Sequence, residues 1–316
     1  MSQSRPFAGG ALLVSGLASA LVVVGLAAPA GAADAPAVMG SPPQSDQRDL
    51  SDVPGERAMI ARFWFPGLDE NFVPQGVTVV GRHVLIAAYR SERTDPAADT
   101  CRIFRVSIET GSLAGSFSLP KSCGHAGGLA HDRQGTLFVA DTSTLYVIDL
   151  ARAIEDGHTE RALRKELSFG GVLRGSFAAY RDGNIWIGVH HRREPRRLYR
   201  IPVARIMAKT AGALLTEADA ADSIPISARS QGAAFDASGG LWISQSGRSA
   251  ATLQKVDPRS GTVKQSCEMP PGLEDLSFDS QGRLWAVSEA GAGRHRDWPT
   301  YYPLIFAFDL AKLQPC

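Results

Sequence analysis

The sequence predicts an all-β protein folded as a β-propeller, most simply with five four-stranded antiparallel blades, and three observations carry that prediction. A hairpin pattern recurs as "QGVTVVGRHVLIAAY" from Gln75, "GGLAHDRQGTLFVADT" from Gly127, "SFAAYRDGNIWIGVH" from Ser176, "QGAAFDASGGLWISQS" from Gln231 and "EDLSFDSQGRLWAVSE" from Glu274, with start-to-start spacings of 52, 49, 55 and 43 residues. Multi-strand units repeating at roughly 40–50 residues mark a propeller. Four of the five copies also place an aromatic residue at one position of the second strand: Phe138, Trp186, Trp242 and Trp285. Finally, further strand-like runs fall between the hairpins, at 102–108 with 112–119, 145–150, 198–203, 252–256 with 262–266, and 304–310.

Taken in chain order, Met1–Gly9 has one cation and no acid, Gly10–Ala28 is an uncharged apolar run, and Ala30-Gly31-Ala32 offers small residues for cleavage. Residues 1–32 therefore read as an export signal, the alternative being a retained anchor. Residues 33–56, rich in Pro, Ser, Asp and Ala, read as a disordered linker. The propeller is expected over 57–316. "RAMIARFWF" at 57–65 precedes the first repeat, and as the outermost strand of the last blade it would close the ring and remove two open edges. Six blades are the competing count if 57–72 and 150–170 hide a degenerate unit. "RIMAKTAGALLTEADA" (205–220) reads as a helical insertion in blade three.

An exported chain with four cysteines favours disulfides. Cys101 and Cys123 stand at the open end of one hairpin and are expected to pair, and Cys267 with Cys316 follows by elimination. Lys+Arg 33 against Asp+Glu 32 leaves no long-range field for nucleic acid or membrane. The expected protein is a secreted or envelope-associated monomer with no span after cleavage.

"GTLFVADTSTLYVIDL" (135–150) resembles an NHL repeat strand pair, and "PQGVTV" and "LWISQSG" resemble blades of the gluconolactonase (senescence-marker-protein) group and its lyase-like relatives, over roughly 75–310. That resemblance implies a divalent metal, often calcium, on the central axis. Gln75 replaces the glutamate that the group carries in its first blade, a departure from its lactonase pattern.

Aligning the hairpins puts Gln75, Gly127, Ser176, Gln231 and Glu274 around one mouth of the central pore, facing Tyr89, Thr142, His190, Ser246 and Glu289, with Asp141, Gln245 and Ser288 one step earlier. Glu274 and Glu289 lie equally far from the turn 280–283, so an even register sets two carboxylates opposite each other. Glu274, Glu289 and Asp141, with Gln75 and Gln231, offer oxygen ligands to calcium or another divalent cation. His190 or His125 would suit a transition metal instead. Candidate proton carriers are Glu274, Glu289 and His190. Tyr89, His125, His191, Arg192, Arg248, Arg294 and Trp298 are expected to line a ligand rim, with Tyr301 and Tyr302 as stacking surfaces. A small molecule, glycan or protein bound at this face is the first expectation. A calcium-dependent lactonase or esterase is the second, and a lyase on cyclic esters the third.

Overall fold

A computed structural model of the chain describes residues 3, 9, 10, 35–92, 100–210, 212–313 and 316. The segment expected as an export signal lies outside the described residues but for Gln3, Gly9 and Gly10. No helix among the described residues is long and apolar enough to cross a membrane.

Five sheets surround one axis. Blade one runs outward through Phe72–Val80, His83–Arg90, Cys101–Ser107 and Leu113–Ser118. Blade two comprises Gly128–His131, Thr136–Ala140, Thr144–Asp149 and Leu163–Ser168. Blade three comprises Phe177–Arg181, Asn184–Gly188, Arg196–Pro202 and Asp222–Ile226, with the short helix Val203–Ala208 inserted before its last strand. Blade four is Ser230–Phe235, Leu241–Ser246, Ala251–Val256 and Val263–Met269. Blade five combines Leu273–Phe278, Leu284–Ser288 and Leu304–Phe308 with the N-terminal strand Met59–Trp64, which pairs antiparallel with Leu304–Phe308. The ring is thus closed by the strand that precedes the first repeat, and the blade count is five.

Alternating apolar residues make each blade oily on both faces, so neighbouring blades bury them against each other. Five apolar seams result, one per pair of adjacent blades. Phe63 belongs to the seam between blades five and one, packing on Trp285 with ring centroids 5.5 Å apart. The hairpin turns are held by aspartates. Asp279 Oδ1 accepts the N–H of Gln281 and Arg283 at 2.9 and 3.0 Å, and its Oδ2 accepts Trp285 Nε1 at 2.9 Å. Blade four repeats the device with Asp236, Gly240 and Trp242. This explains why turn and tryptophan recur together.

Residues 35–56 do not behave as the free linker their composition suggests. Val38–Met39 adds a parallel strand beside Arg62–Phe63. Gln44 and Ser45 donate backbone N–H to Asp69 at 3.1 and 2.8 Å, Ser51 N–H donates to the Tyr301 carbonyl at 3.0 Å, and Leu50 and Val53 pack on the last blade. Asp69 and the Tyr301 carbonyl supply the acceptors, and blade five the apolar surface, that fix this segment.

Both expected disulfides form, Cys101–Cys123 and Cys267–Cys316.

Candidate functional site at the upper mouth of the channel

The site is made by β-bulges where the chain enters three inner strands. Blade one gains one extra residue between Pro74 and Val77, blade four between Ser230 and Gly232, and blade five between Leu273 and Leu276. Gln75, Gln231 and Glu274 all sit in these bulges, which re-aim side chains where a regular ladder would not. The expectation of an even register in blade five is therefore corrected. Leu273 pairs with Ser288 and Leu276 with Ala286, so Glu274 has no directly opposed partner. Its carboxyl nevertheless reaches that of Glu289 within hydrogen-bonding contact.

Around this pair the amides of two other blades converge. Gln75 Nε2 donates to Glu289 Oε2 at 2.7 Å and to its neighbour's Pro74 carbonyl at 2.9 Å. Gln231 Nε2 donates to Glu274 Oε1 at 2.9 Å. His295 Nε2 lies 3.0 Å from Glu289 Oε2. Glu274 and Glu289 are both buried. Burial, and then the neighbouring Glu289, push the Glu274 carboxyl well above the usual carboxylate range.

His125, Tyr89 and Arg294 form one wall. The His125 ring stacks on Tyr89 at 5.0 Å, and the Arg294 guanidinium lies 5.0 Å from the Tyr89 centroid. The Tyr89 hydroxyl is buried and has no hydrogen-bond partner among the described residues. Burial, reinforced by Glu289, raises its pKa, so it stays a phenol. Burial lowers the pKa of His125 and of His190, keeping both imidazoles neutral. His190 Nδ1 is 3.1 Å from the Ser230 carbonyl. A carbonyl only accepts, so Nδ1 carries the hydrogen and Nε2 holds the lone pair.

Other expected residues are placed elsewhere. Asp141 does not join the glutamates. Its Oδ1 accepts the N–H groups of His125 and Ala126 at 2.6 and 2.8 Å, with Gly124 at 3.3 Å, and so holds the loop that carries His125. His191 Nδ1 accepts the Glu194 N–H at 3.0 Å inside its own loop. Arg192 is exposed, and its carbonyl accepts Arg229 Nε at 3.3 Å. Arg248 donates to the Asp297 carbonyl at 3.1 Å, and Trp298 packs on the His295 ring at 4.3 Å. Tyr301 and Tyr302, expected as stacking surfaces, are buried in the last blade because their rings fill its apolar side.

Two residues escaped the sequence reading. His295 sits in a loop without repeat relatives. Asp275 occupies the position of Gly76, Gly128 and Gly232 in the aligned repeats, and an acid at a glycine position was the signal to follow. It is fully buried on the axis. Its Oδ2 accepts the N–H of Val77 and Leu129, from blades one and two, at 3.2 and 3.0 Å, while Oδ1 has no partner among the described residues. Burial drives its carboxyl well above the ordinary range despite those donors.

The donor set does not suit a calcium cage of six to eight oxygens. The Pro74 carbonyl fixes the Gln75 amide with its nitrogen toward Glu289, Gln231 also presents nitrogen, and Asp141 is committed to its loop. Among the described residues no cluster of three or more His, Cys, Asp or Glu is poised for a metal.

At the opposite end of the inner strands lies a cavity of about 410 Å³ that includes Asp236 and Asp279 in its lining. Both carboxylates are taken up by their own turns and tryptophans. The uncommitted chemistry therefore gathers at the upper mouth.

No family model matches the chain, and no curated protein does. Solved structures do. The glutaminyl cyclase of Myxococcus xanthus superposes with a TM-score of 0.52 and 12% identity, over 79% of this chain and 97% of that one. The PQQ-bound aldose sugar dehydrogenase of Streptomyces coelicolor gives a TM-score of 0.46 and 12% identity, over 75% and 94%. A luciferin-regenerating enzyme gives 0.42 and 9%, over 78% of each chain. At these identities the first likeness establishes the shared propeller fold alone, and the other two carry no argument.

Proposed function

We propose that this protein binds a small molecule at the upper mouth of its channel and transfers protons during acyl transfer at a carbonyl carbon, hydrolysis being the simplest case. The observation that carries this reading is the Glu274–Glu289 pair, buried, in mutual contact and held from two other blades by Gln75 and Gln231. A carboxyl held above its ordinary range beside a second carboxyl is a standard arrangement for a proton donor and its acceptor. In the proposed step Glu274 gives its proton to the leaving atom. Glu289, already an acceptor for Gln75, takes a proton from the attacking group. The unpartnered Tyr89 hydroxyl and the neutral imidazole of His125 supply donors toward a developing oxyanion.

Two further observations support the reading. The next residue, Asp275, is buried beside the pair and ties blades one and two to blade five through the Val77 and Leu129 N–H groups, which fixes the strand that carries Glu274. One solved propeller of similar fold is a glutaminyl cyclase. Lactones and esters are the substrates to try first, because "PQGVTV" and "LWISQSG" resemble the gluconolactonase group.

The test is a panel of γ- and δ-lactones and p-nitrophenyl esters assayed with the wild type, Glu274→Gln and Glu289→Gln. Turnover of at least one substrate is expected, with each variant slower by about 100-fold or more, the usual worth of a positioned acid or base. Turnover that survives both substitutions, or none on any substrate by the folded wild type, overturns the reading.

A further inference from the structure

A groove of about 720 Å³ opens beside the upper mouth, between the loop after blade two and the third strand of blade three. Its lining combines the apolar Val172, Val189, Pro195 and Tyr199 with the cations Arg174, Arg196 and Arg197. His190 lines it as well, and the same imidazole bonds the carbonyl of Ser230, the residue before Gln231 of the glutamate site. The volume is that of a pocket for a whole small molecule. The glutamate pair alone accounts for the reacting end of such a molecule and not for the rest.

The groove's chemistry selects its occupant. Val172 is 59% exposed, and Leu214, on the adjoining chain segment, is 52% exposed. The segments touch, since Gly170 N–H donates to the Leu215 carbonyl at 2.9 Å. Two large apolar side chains left open beside a groove call for an apolar partner. The charges do not balance. Arg174 Nη1 donates to the Gly171 and Leu173 carbonyls, and its other nitrogens have no hydrogen bond among the described residues. Arg197 is occupied on Ser223, and Arg196 pairs with Glu194 at 2.9 Å. Two acids stand against the three guanidinium groups, Glu194 and Glu217, whose carboxylate accepts the Val172 N–H at 3.2 Å, so the groove keeps a surplus of one positive charge.

We propose that this groove holds the non-reacting part of the ligand, and that the ligand is an amphiphilic anion: an acyl chain or ring system lying on Val172, Val189 and Tyr199, with a carboxylate, sulfate or phosphate taken by Arg174 and Arg196. The assignment rests on the proposed acid–base role of the mouth only for what happens at the other end of the molecule. Occupancy of the groove requires no turnover.

The experiment is titration calorimetry of the folded protein with decanoate, and with decyltrimethylammonium as the charge-inverted control. Saturable 1:1 binding of decanoate is expected, with the cation at least tenfold weaker. The double variant Arg174→Gln, Arg196→Gln should weaken decanoate at least tenfold, and Val172→Asp should do the same through the apolar lining. All three positions are exposed or partly exposed, so circular dichroism suffices to confirm folding. Glu274→Gln should leave decanoate affinity within about twofold. Equal affinity for the two probes, no saturable binding, or binding unaffected by the arginine variants overturns the assignment. So does loss of decanoate binding in Glu274→Gln, which would place the chain in the mouth itself. Failure of the lactone and ester panel alone would sink the acid–base reading and leave this result standing.

Discussion

Two adjacent carboxyls on the axis, Glu274 and Asp275, carry opposite duties. Both are fully buried with pKa values driven upward, first by burial. Between the ordinary glutamate value and the raised one, the folded state holds a proton that the unfolded chain has released, so each unit of rising pH removes up to about 1.4 kcal/mol of stability per such group. Glu274→Gln abolishes that loss. The variant is expected to be more stable than wild type at pH 7, with the difference vanishing as pH falls below the ordinary glutamate value, as chemical denaturation across pH will read. Asp275 behaves differently because backbone donors depend on it. Asp275→Ala leaves the Val77 and Leu129 N–H groups buried without an acceptor and is expected to cost about 3–5 kcal/mol. Asp275→Asn keeps an acceptor oxygen and should cost less than half as much. A thermal melt that ranks the two variants equally would contradict the hub role. For the histidines the sign reverses. His125 and His190 are depressed by burial, so their contribution is present above the ordinary histidine value and is lost as pH falls below it.

Among the elements, the inner strands set what the sequence could and could not reveal. Their repeat was legible because the turn aspartates and the tryptophans they bind recur together, as in Asp236 with Trp242 and Asp279 with Trp285. The bulges were not legible. One extra residue in an entering strand leaves composition and alternation almost unchanged, yet it shifts pairing by one, which is why Glu274 and Glu289 meet without being directly opposed. Asp141 was misassigned for a related reason. An acid at the end of a strand looks alike whether it faces a pore or receives three N–H groups from its own neighbourhood. The inner strands also approach so closely that Gly128 has no room for a side chain, a Cβ there falling on the Ala178 nitrogen and the Phe177 backbone. Gly128→Ala is expected to lower the melting temperature by about 6 °C or more, the shift of a loss of 2–3 kcal/mol in a domain of this size. The disulfides act on the unfolded chain. They close loops of 22 and 49 residues, each worth about 3–4 kcal/mol in the chain-entropy estimate. Cys101→Ser with Cys123→Ser should show such a loss in chemical denaturation while leaving the glutamate pair in place.

At the scale of the whole molecule, closure is the device that makes five separate sheets one structure. Blade five has only three strands of its own, and Met59–Trp64 completes it from the other end of the chain. Phe63 carries the consequence inward, since it packs on Trp285 in the seam shared with blade one. Removing residues 1–65 therefore strips a strand and opens a long apolar edge. The truncated chain is expected to aggregate or to melt well below the full-length protein, whereas removal of 1–34 should leave the melting temperature within about 3 °C. The closing strand was readable because "RAMIARFWF" had no repeat partner, an apolar run that a ring could not leave unpaired. The tethering of 35–56 was not, because its anchors, Asp69 and the Tyr301 carbonyl, belong to distant segments.

The Glu274 carboxyl, held above the ordinary range by burial and by Glu289, is the centre of the functional account, and infrared difference spectroscopy reads its protonation directly. Spectra of wild type and Glu274→Gln are compared at about pH 6, well above the ordinary glutamate value. The expected difference is a protonated-carboxyl carbonyl band present in the wild type and missing from the variant, with the Asp275 band unchanged. A wild-type spectrum that shows Glu274 as carboxylate at that pH would contradict the account.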